Sequence, residues 1–389
     1  MAKPDPELFV LGPDAAKGPD RGKIRSLRTD STGMAGGCPF PGVWDLFCAF
    51  AHNQSNSYYR FMVSLIEMEI RHLRALVAVS EHGSFSAAAD ALGTVQSNVS
   101  AHVARLEKEL GTLLVDRSAG RLTAEGEVVA ARAYRILGEI EAVTADLGAL
   151  REEVGGTVRV GMIGTTARWI TPVLLADLSV KHPKLHLVVA DGTTSSLEPQ
   201  LAAGRFDMAI LTLPIPGRDL TFESLFEEDL VLVVPVDDDP LVGVNRIALT
   251  DLSRFDLLLP APGTAFRTEI DSAVKPAGVE LRPRAELDGV RLLASLTFEG
   301  YGPAILPATA VPPHLRPRFR SVGIDDLPPR HVVLAQRTRG MPSAGARAVI
   351  QTLRHLLTDP GRLPEGVRVV APAAARAEGS LRVVGMPNG

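Results

Sequence analysis

A run of polar side chains follows Val95, and most of them can both donate and accept hydrogen bonds. The same stretch carries Val99, Val103 and Leu106 at spacings of four and three residues, which is typical of one apolar helical face. The polar side chains are Gln96, Ser97, Asn98, Ser100, His102 and Arg105. Such groups near the N-terminus of a helix can bind base edges in the major groove of DNA. An amphipathic helix pair in any helical domain is the alternative interpretation.

The residues around this stretch predict the elements that would position it. Ser84 can cap a short helix, and Gly93 can provide the tight turn between that helix and the next. The segment from Ser84 to Leu110 therefore predicts a helix-turn-helix. The segment LLVDRSAGRLTAEG follows it and predicts a short hairpin, or wing, around Gly120.

We predict base contacts from Gln96, Ser97, Asn98 and His102, because they lie opposite the apolar face of the helix. We predict phosphate contacts from arginines 105 and 117. The full set of predicted DNA-binding residues is Ser86, Gln96, Ser97, Asn98, Ser100, His102, Arg105, Arg117 and Arg121.

The run from Met68 to Gly126 resembles the N-terminal domain of LysR-type transcriptional regulators. The resemblance is carried in order by MEIRHLRAL, SFSAAADALG, QSNVSAHVARLEKELG, DRS and LTAEG, over nearly sixty positions. The sequence departs from the family at Val115, where an aromatic residue is usual, and at Val95, where Ser is frequent. The resemblance implies a winged helix-turn-helix over 68–126 and a sequence-specific regulator that a small-molecule effector controls.

Length and charge narrow the possible classes of protein. A chain of 389 residues predicts two or three domains. The net charge is −4, and residues 69–123 carry as many acidic as basic side chains, so DNA binding depends on the arrangement of charges. The two cysteines, Cys38 and Cys48, fit no metal motif or disulfide framework. No membrane-spanning run or secretory signal is recognisable, which predicts a cytoplasmic protein without a membrane role.

The two ends of the chain have compositions typical of irregular segments. Residues 1–67 are rich in Gly, Pro, Asp and Ser, and we predict a mostly disordered extension. The family usually starts near MEIRHLRAL, so Met68 is the expected natural start, and a genuine extension that docks on the regulator is the alternative. Residues 358–389 predict a mobile tail with at most short strand-like pieces.

A long helix with a heptad seam is predicted between the two halves of the chain, from Ala124 to about residue 152. Its apolar residues are Ile136, Ile140, Val143, Leu147, Leu150 and Val154. This spacing predicts helix pairing, and a helix that lies on its own domain is the alternative. Gly155 and Gly156 should end the helix and form a hinge, so 127–156 is the predicted linker. The resemblance implies that this helix dimerises the protein and allows a tetramer.

Residues 157–357 alternate between predicted strands and helices, which indicates parallel sheets covered by helices. The segments RFDMAIL and EGYGPAILP are similar to the effector domain of the family. The resemblance implies a periplasmic-binding-protein-like α/β domain of two lobes. We predict lobe I over 157–232 and 332–357 and lobe II over 233–331.

Polar residues after the predicted strands indicate a ligand site between the lobes. The carboxyl ends of strands in open α/β sheets are the usual ligand edge. The predicted effector-binding residues are Thr165, Thr166, Thr193, Thr194, Thr212, Pro214, Thr264 and Phe266. A helix cap is the alternative role for each threonine. Arg168 or Arg267 could pair a carboxylate of the effector, or either could be exposed.

No catalytic motif is present: the sequence has no G-x-S-x-G elbow, P-loop or HExxH. We therefore predict a regulator that is not an enzyme and has no cofactor beyond its effector. The alternatives are a small-molecule binding protein of the periplasmic-receptor type and a two-lobed α/β enzyme. The expected partners are double-stranded DNA, the effector and a second copy of the chain, with RNA polymerase left open. The sequence does not identify the effector, the target genes or the direction of regulation.

Overall fold

The computed structural model describes residues 68–151, 153–217, 219–237 and 241–370. The predictions for residues 1–67 and for the last part of the tail, 371–389, lie outside this range. None of the described helices combines the length and the apolar character that a bilayer crossing needs.

The N-terminal part is a winged helix-turn-helix. Its helices are α1 (Ile70–His82), α2 (Phe85–Ala91) and α3 (Gln96–Leu110), and its wing pairs β1 (Val115–Asp116) with β2 (Arg121–Leu122). Ser84 caps α2 as predicted, because its Oγ accepts from the Ala87 amide at 3.1 Å. Gly93 has a φ of 63°, a value that glycine adopts without strain. The fully buried side chains include Leu76, Val99, Val103 and Leu106, so the apolar face of α3 forms the core.

The linker helix α4 spans Ala124–Ala149. Thr123 caps its N-terminus by accepting from the Gly126 amide at 2.9 Å. The predicted helix extended about three residues too far at its C-terminal end, because α4 ends at Ala149. The predicted Gly-Gly hinge was also wrong, since residues 155 and 156 begin strand β3.

Lobe I is a six-stranded sheet with helices packed on it. Its strands are β3 (Gly155–Ile163), β4 (Lys184–Gly192), β5 (Met208–Thr212), β6 (Leu220–Glu228), β13 (Arg330–Arg337) and β14 (Val367–Val369), in the order β14-β6-β13-β5-β3-β4. Its helices are α5 (Gly164–Lys181), α6 (Thr194–Ala203) and α9 (Ala344–Thr358). The predicted parallel pairing holds for β3 with β4 and β5, whereas β13 runs antiparallel to β5 and β6. The sheet is therefore mixed.

Lobe II is a second mixed sheet of six strands. Its strands are β7 (Leu230–Pro235), β8 (Arg246–Ile247), β9 (Asp256–Pro260), β10 (Arg282–Leu287), β11 (Ala304–Pro307) and β12 (Phe319–Ile324), in the order β10-β9-β11-β7-β12-β8. Its helices are α7 (Ala265–Val274) and α8 (Val290–Phe298). Short 3-10 turns occupy Leu249–Arg254, Ala308–Ala310, Pro313–Leu315 and, in lobe I, Pro360–Arg362.

The chain crosses between the lobes twice, and both crossings differ slightly from the predicted boundaries. The first crossing is at Asp229, because β6 ends at residue 228 in lobe I and β7 begins at residue 230 in lobe II. The return lies in 325–329, between β12 and β13. The tail contains the short strand predicted at VRVV, which is β14 (Val367–Val369). Because β14 pairs antiparallel with β6, this part of the predicted tail belongs to the sheet of lobe I.

Candidate functional site

The start of helix α3 presents an exposed polar surface beside the wing. Gln96, Ser97 and Asn98 are exposed, and so is Ser86 on the preceding helix α2. The Asn98 amide donates to the Thr94 Oγ1 at 3.0 Å, within the turn that precedes the helix. This surface combines amide and hydroxyl groups at a helix N-terminus, the arrangement suited to base edges.

His102 does not lie on this exposed surface. Its side chain is half-buried, and its ring centroid is 5.5 Å from that of buried His72 on α1. A position three residues after buried Val99 flanks the apolar face of the helix, which explains this placement. The base contact predicted for His102 stays a prediction, now for a side chain at the edge of the exposed surface.

The arginines of this region differ in how firmly they are held. Arg117 donates to Ser100 Oγ at 3.3 Å and lies 5.4 Å from the ring centroid of Phe85. Arg105 pairs with Glu109 at 3.2 Å on the same helix. Arg121 is exposed in strand β2 of the wing. Arg117 therefore also joins the wing to helices α2 and α3.

The predicted seam of α4 is exposed in the single chain. Val143 and Leu147 are 61% and 58% exposed, and Ile136 is exposed as well. Another part of the helix contacts lobe I, where the Ala344 amide donates to Asp146 Oδ1 at 2.8 Å. Helix α4 therefore packs on lobe I of the same chain, while these residues of its heptad seam remain exposed to solvent.

A cavity of about 960 Å³ lies between helix α1, helix α4 and lobe I. Arg205 of lobe I bounds it, donates to Ser80 Oγ at 3.0 Å and lies 5.1 Å from the ring centroid of Tyr134. None of the predicted effector-binding residues lines this cavity. We interpret it as the space left where the linker helix crosses between the DNA-binding domain and lobe I.

Three of the predicted effector-binding threonines form buried polar contacts in lobe I. Thr194 Oγ1 lies 3.0 Å from Thr212 Oγ1 and accepts from the Thr212 amide at 3.1 Å. Thr165 is buried and accepts from Arg330 at 2.9 Å. These contacts connect the end of β5 and the start of β13 with the starts of helices α5 and α6.

The other predicted effector-binding residues have different environments. Thr193 and Thr264 cap α6 and α7, the alternative role that the sequence left open. The prediction that Phe266 contacts the effector needs correction, because its side chain packs in the hydrophobic core of lobe II. Pro214 is exposed. Thr166 is fully buried, and its Oγ1 has no hydrogen-bond partner among the described residues.

A buried ion pair that the sequence analysis missed lies where the chain crosses between lobes. Arg330 Nε donates to Glu228 Oε2 at 2.9 Å, and the two side chains are 6% and 0% exposed. Glu228 Oε1 accepts from the Thr309 amide of lobe II at 2.9 Å. Because Arg330 also donates to Thr165, it connects this pair to the threonines of lobe I.

Glu269, on helix α7 of lobe II, is the second carboxylate of this region. Burial raises the pKa of Glu269 to about 7, and the neighbouring Glu228 adds to the rise. Arg330 and the Thr212 hydroxyl act on this pKa in the opposite direction. Glu269 Oε2 is buried, and no group in the described part of the chain bonds to it.

Two further arginines each contact a residue of the opposite lobe, and the contacts of a third arginine lie within lobe II. Arg168 of lobe I donates to the Ala310 carbonyl of lobe II at 2.8 Å. Arg291 on α8 pairs with Asp191 at the end of β4. Arg267, considered above for an effector carboxylate, already pairs with Asp271 and Glu286 at 2.9 and 2.8 Å.

Substitution of Glu269 should change how stability depends on pH. The pKa is about 7 in the folded chain against an ordinary value of 4.5, so the folded state binds this proton more tightly. The stabilisation is complete below the ordinary pKa and is lost as pH rises through about 7. The free energy of unfolding should therefore fall between about pH 5 and pH 8 in the wild type by about 2–3 kcal/mol more than in Glu269→Gln, which lacks the titrating carboxyl group.

Urea unfolding of both chains across this pH range measures the difference. Glu280→Gln, at an exposed position of the same lobe, should keep the wild-type slope. Equal slopes for the wild type and Glu269→Gln would show that Glu269 does not titrate in this range.

Comparison with known families accounts for both halves of the described chain. A family described as bacterial regulatory helix-turn-helix protein, lysR family, matches residues 70–127. The LysR substrate binding domain matches residues 151–358. Similar whole proteins include a probable hydrogen peroxide-inducible genes activator of Streptomyces viridosporus, 32% identical over 75% of this chain and 95% of the relative. The DNA-binding transcriptional dual regulator OxyR of Escherichia coli K12 is 28% identical over 63% of this chain and 81% of its own length.

Solved structures agree with these matches. A full-length OxyR variant from Pseudomonas aeruginosa has a TM-score of 0.61 at 25% identity, over 78% of this chain and 99% of that protein. Full-length CbnR in complex with its target DNA has a TM-score of 0.55 at 24% identity, over 74% of this chain and 99% of that one, and shows the likeness of fold. The predicted fold class is thereby confirmed, and the relatives are regulators, not enzymes or free-standing receptors. The chain belongs to the LysR family of DNA-binding transcriptional regulators, with a helix-turn-helix domain and an effector-binding domain.

Proposed function

We propose that this regulator reads its operator through Gln96, Ser97 and Asn98. The observation that carries the proposal is their exposure at the N-terminus of α3 while the apolar face of that helix is buried. Arg105 and Arg121 are the proposed phosphate contacts, and Arg117 supports the wing in addition to its proposed phosphate contact. Ser86 completes the exposed surface, and the half-buried Ser100 and His102 lie at its edge.

Gel shifts with operator variants test these roles. Gln96→Ala should flatten the preference at one operator position, because a lost bidentate contact removes about 1–3 kcal/mol of discrimination. Arg121→Ala should instead weaken binding to all operator variants alike and reduce the salt slope by about one unit. If the two variants lose the same affinity at every operator, the assigned roles are wrong.

We propose that two copies pair through the exposed seam of α4. The exposed apolar side chains that support this proposal are Ile136, Val143 and Leu147 of α4 and Leu150, the residue after its end. A two-fold dimer would present two recognition helices to half-sites about one helical turn apart. A tetramer and a contact with RNA polymerase are further proposals that rest on family membership alone. As a DNA-binding regulator, the protein would act in the cytoplasm.

We propose that the effector binds between the lobes, near the Glu228–Arg330 pair. This region joins both lobes at a crossing of the chain, and the Thr309 amide already connects lobe II to Glu228. A ligand that contacts both lobes can shift their arrangement only by its difference in affinity for the two states, about 1–3 kcal/mol for coupled sites. Helix α4 contacts lobe I through Asp146 and is the proposed route to the DNA-binding domain.

The effector is proposed to bind without thiol chemistry. Several relatives carry the name hydrogen peroxide-inducible genes activator. A peroxide-reactive side chain in proteins is typically a cysteine thiolate. The only cysteines of this chain are at positions 38 and 48, outside the matched residues 151–358. The proposal is therefore a reversible, non-covalent small-molecule effector.

A further inference from the structure

The arginine at the centre of the interlobe region already has its partners. Arg330 donates to the Glu228 carboxylate and to the Thr165 hydroxyl, each at 2.9 Å. Glu228 uses its second oxygen to accept from Thr309. A ligand carboxylate that replaced Glu228 at the Nε of this guanidinium would leave Glu228 buried without its ion-pair partner.

Unpartnered groups in the same region are mainly acceptors or hydroxyls. Glu269 Oε2 is buried and makes no hydrogen bond within the described ranges. Thr166 and Thr309 are 0% and 6% exposed, and their hydroxyl oxygens are likewise without partners there. Thr166 follows the threonine that holds Arg330, and the Thr309 amide holds Glu228. Buried polar atoms are normally hydrogen-bonded. The two hydroxyls can donate or accept, whereas the ionised Glu269 carboxylate can only accept, so Glu269 Oε2 is the group that requires a donor.

The charge of the region favours the same kind of ligand. Glu228 and Glu269 face Arg330, so ionised Glu269 leaves an excess negative charge in a buried environment. A cation beside Glu269 would remove this excess, whereas an anion would increase it. Burial raises the pKa of Glu269 to about 7 and Glu228 adds to the rise, although Arg330 acts in the opposite direction.

On the basis of the proposed effector cleft, we propose that the ligand presents an ammonium or a similar N–H donor to Glu269. The arginines that contact the opposite lobe, Arg168 and Arg291, make a carboxylate ligand the competing class. Arg291 is paired with Asp191, and Arg168 with the Ala310 carbonyl, so both arginines already make contacts between the lobes. Glu269 Oε2, by contrast, is a buried acceptor to which no described group donates, and we therefore place the donor of the ligand there.

Thermal unfolding of the full chain with matched probes tests this proposal. Benzylamine and butylamine are compared with benzoate and butyrate, which offer a carboxylate on a similar carbon skeleton. At millimolar concentration and about pH 8, at least one amine should raise the Tm of the wild type by about 2–4 °C. The effect should weaken at about pH 6, where Glu269 is protonated, and neither carboxylate should raise the Tm.

Two variants make the result specific to Glu269. Glu269→Gln should abolish the shift caused by the amine, and Glu280→Gln, with its exposed carboxylate removed, should retain it. The proposal is overturned if only a carboxylate stabilises the chain, if none of the four probes does, or if Glu269→Gln keeps the amine effect. Gel shifts on the same preparations test the proposed function separately from the proposed ligand class. A wild-type chain that binds no operator would contradict the proposed function and leave the ligand class to the thermal unfolding data.

Discussion

Arg330→Met should lower the free energy of unfolding by about 3–5 kcal/mol, because it leaves the Glu228 charge buried without its partner. The Glu228 side chain is 0% exposed and its Oε2 lies 2.9 Å from Arg330 Nε. Methionine can occupy much of the space of the arginine but supplies no donor. Because Glu228 also holds Thr309 of lobe II, the loss should loosen the crossing between the lobes.

Urea unfolding followed by the fluorescence of Trp169 measures this loss within lobe I. The chain has two tryptophans, so a Trp44→Phe background leaves Trp169 as the single probe. Trp169 packs edge-on against Phe226, two residues before Glu228, with ring centroids 5.6 Å apart. The reporter therefore lies close to the crossing.

A neighbouring ion pair provides the matched control. Arg368 donates to both oxygens of Asp229 at 2.7 and 2.8 Å, but its side chain is 51% exposed. Arg368→Met should cost no more than about 1 kcal/mol, because solvent screens the remaining charge. The double change Arg330→Met with Glu228→Gln should recover part of the loss, since it removes the buried charge. Equal losses for the two arginine variants would contradict the role given to burial.

The DNA-binding domain could be predicted closely because its signals are local. The cap at Ser84, the turn at Gly93 and the apolar spacing of α3 each depend on residues within a few positions. The burial of His102 could not be predicted from such local signals. Its surroundings include His72, thirty positions earlier on another helix, and no local pattern reports that contact.

The polar residues at the proposed effector cleft could be predicted in part, but the charged groups beside them could not. Threonines after strands indicated the edge of lobe I at which we propose the effector site, because strand ends converge in an open sheet. The charged groups come from β6, α7 and β13, which are brought together only by the two crossings between lobes. Glu228 and Arg330 were visible as charges beside apolar strands, in FEEDLVLVV and PPRHVVLA. Nothing in their spacing indicates that the antiparallel pairing of β6 and β13 sets them side by side.

Gly126→Ala should be the most damaging small substitution in the DNA-binding domain, with a loss of about 3 kcal/mol or more. A Cβ added at this position would lie 1.9 Å from the carbonyl oxygen of Leu114 and 2.9 Å from its carbonyl carbon. Leu114 cannot move away easily. Its amide donates to buried Glu107 at 2.9 Å, and its carbonyl accepts from the Thr123 amide at 3.0 Å. The helix would have to shift relative to the wing.

Gly138→Ala in the same helix is the control, because a Cβ there meets no atom within 4 Å. Alanine should stabilise this helix-interior position by about 1 kcal/mol, since glycine loses more backbone entropy on folding. Hydrogen exchange of the buried amides in α1 and α3, followed by mass spectrometry on the full chain, measures both effects. Exchange should be faster than in the wild type in Gly126→Ala, and as fast as in the wild type or slower in Gly138→Ala. Because Leu114 precedes strand β1, operator affinity should fall in Gly126→Ala as the wing moves. Unchanged exchange in Gly126→Ala would mean that α4 can begin without its close approach to Leu114.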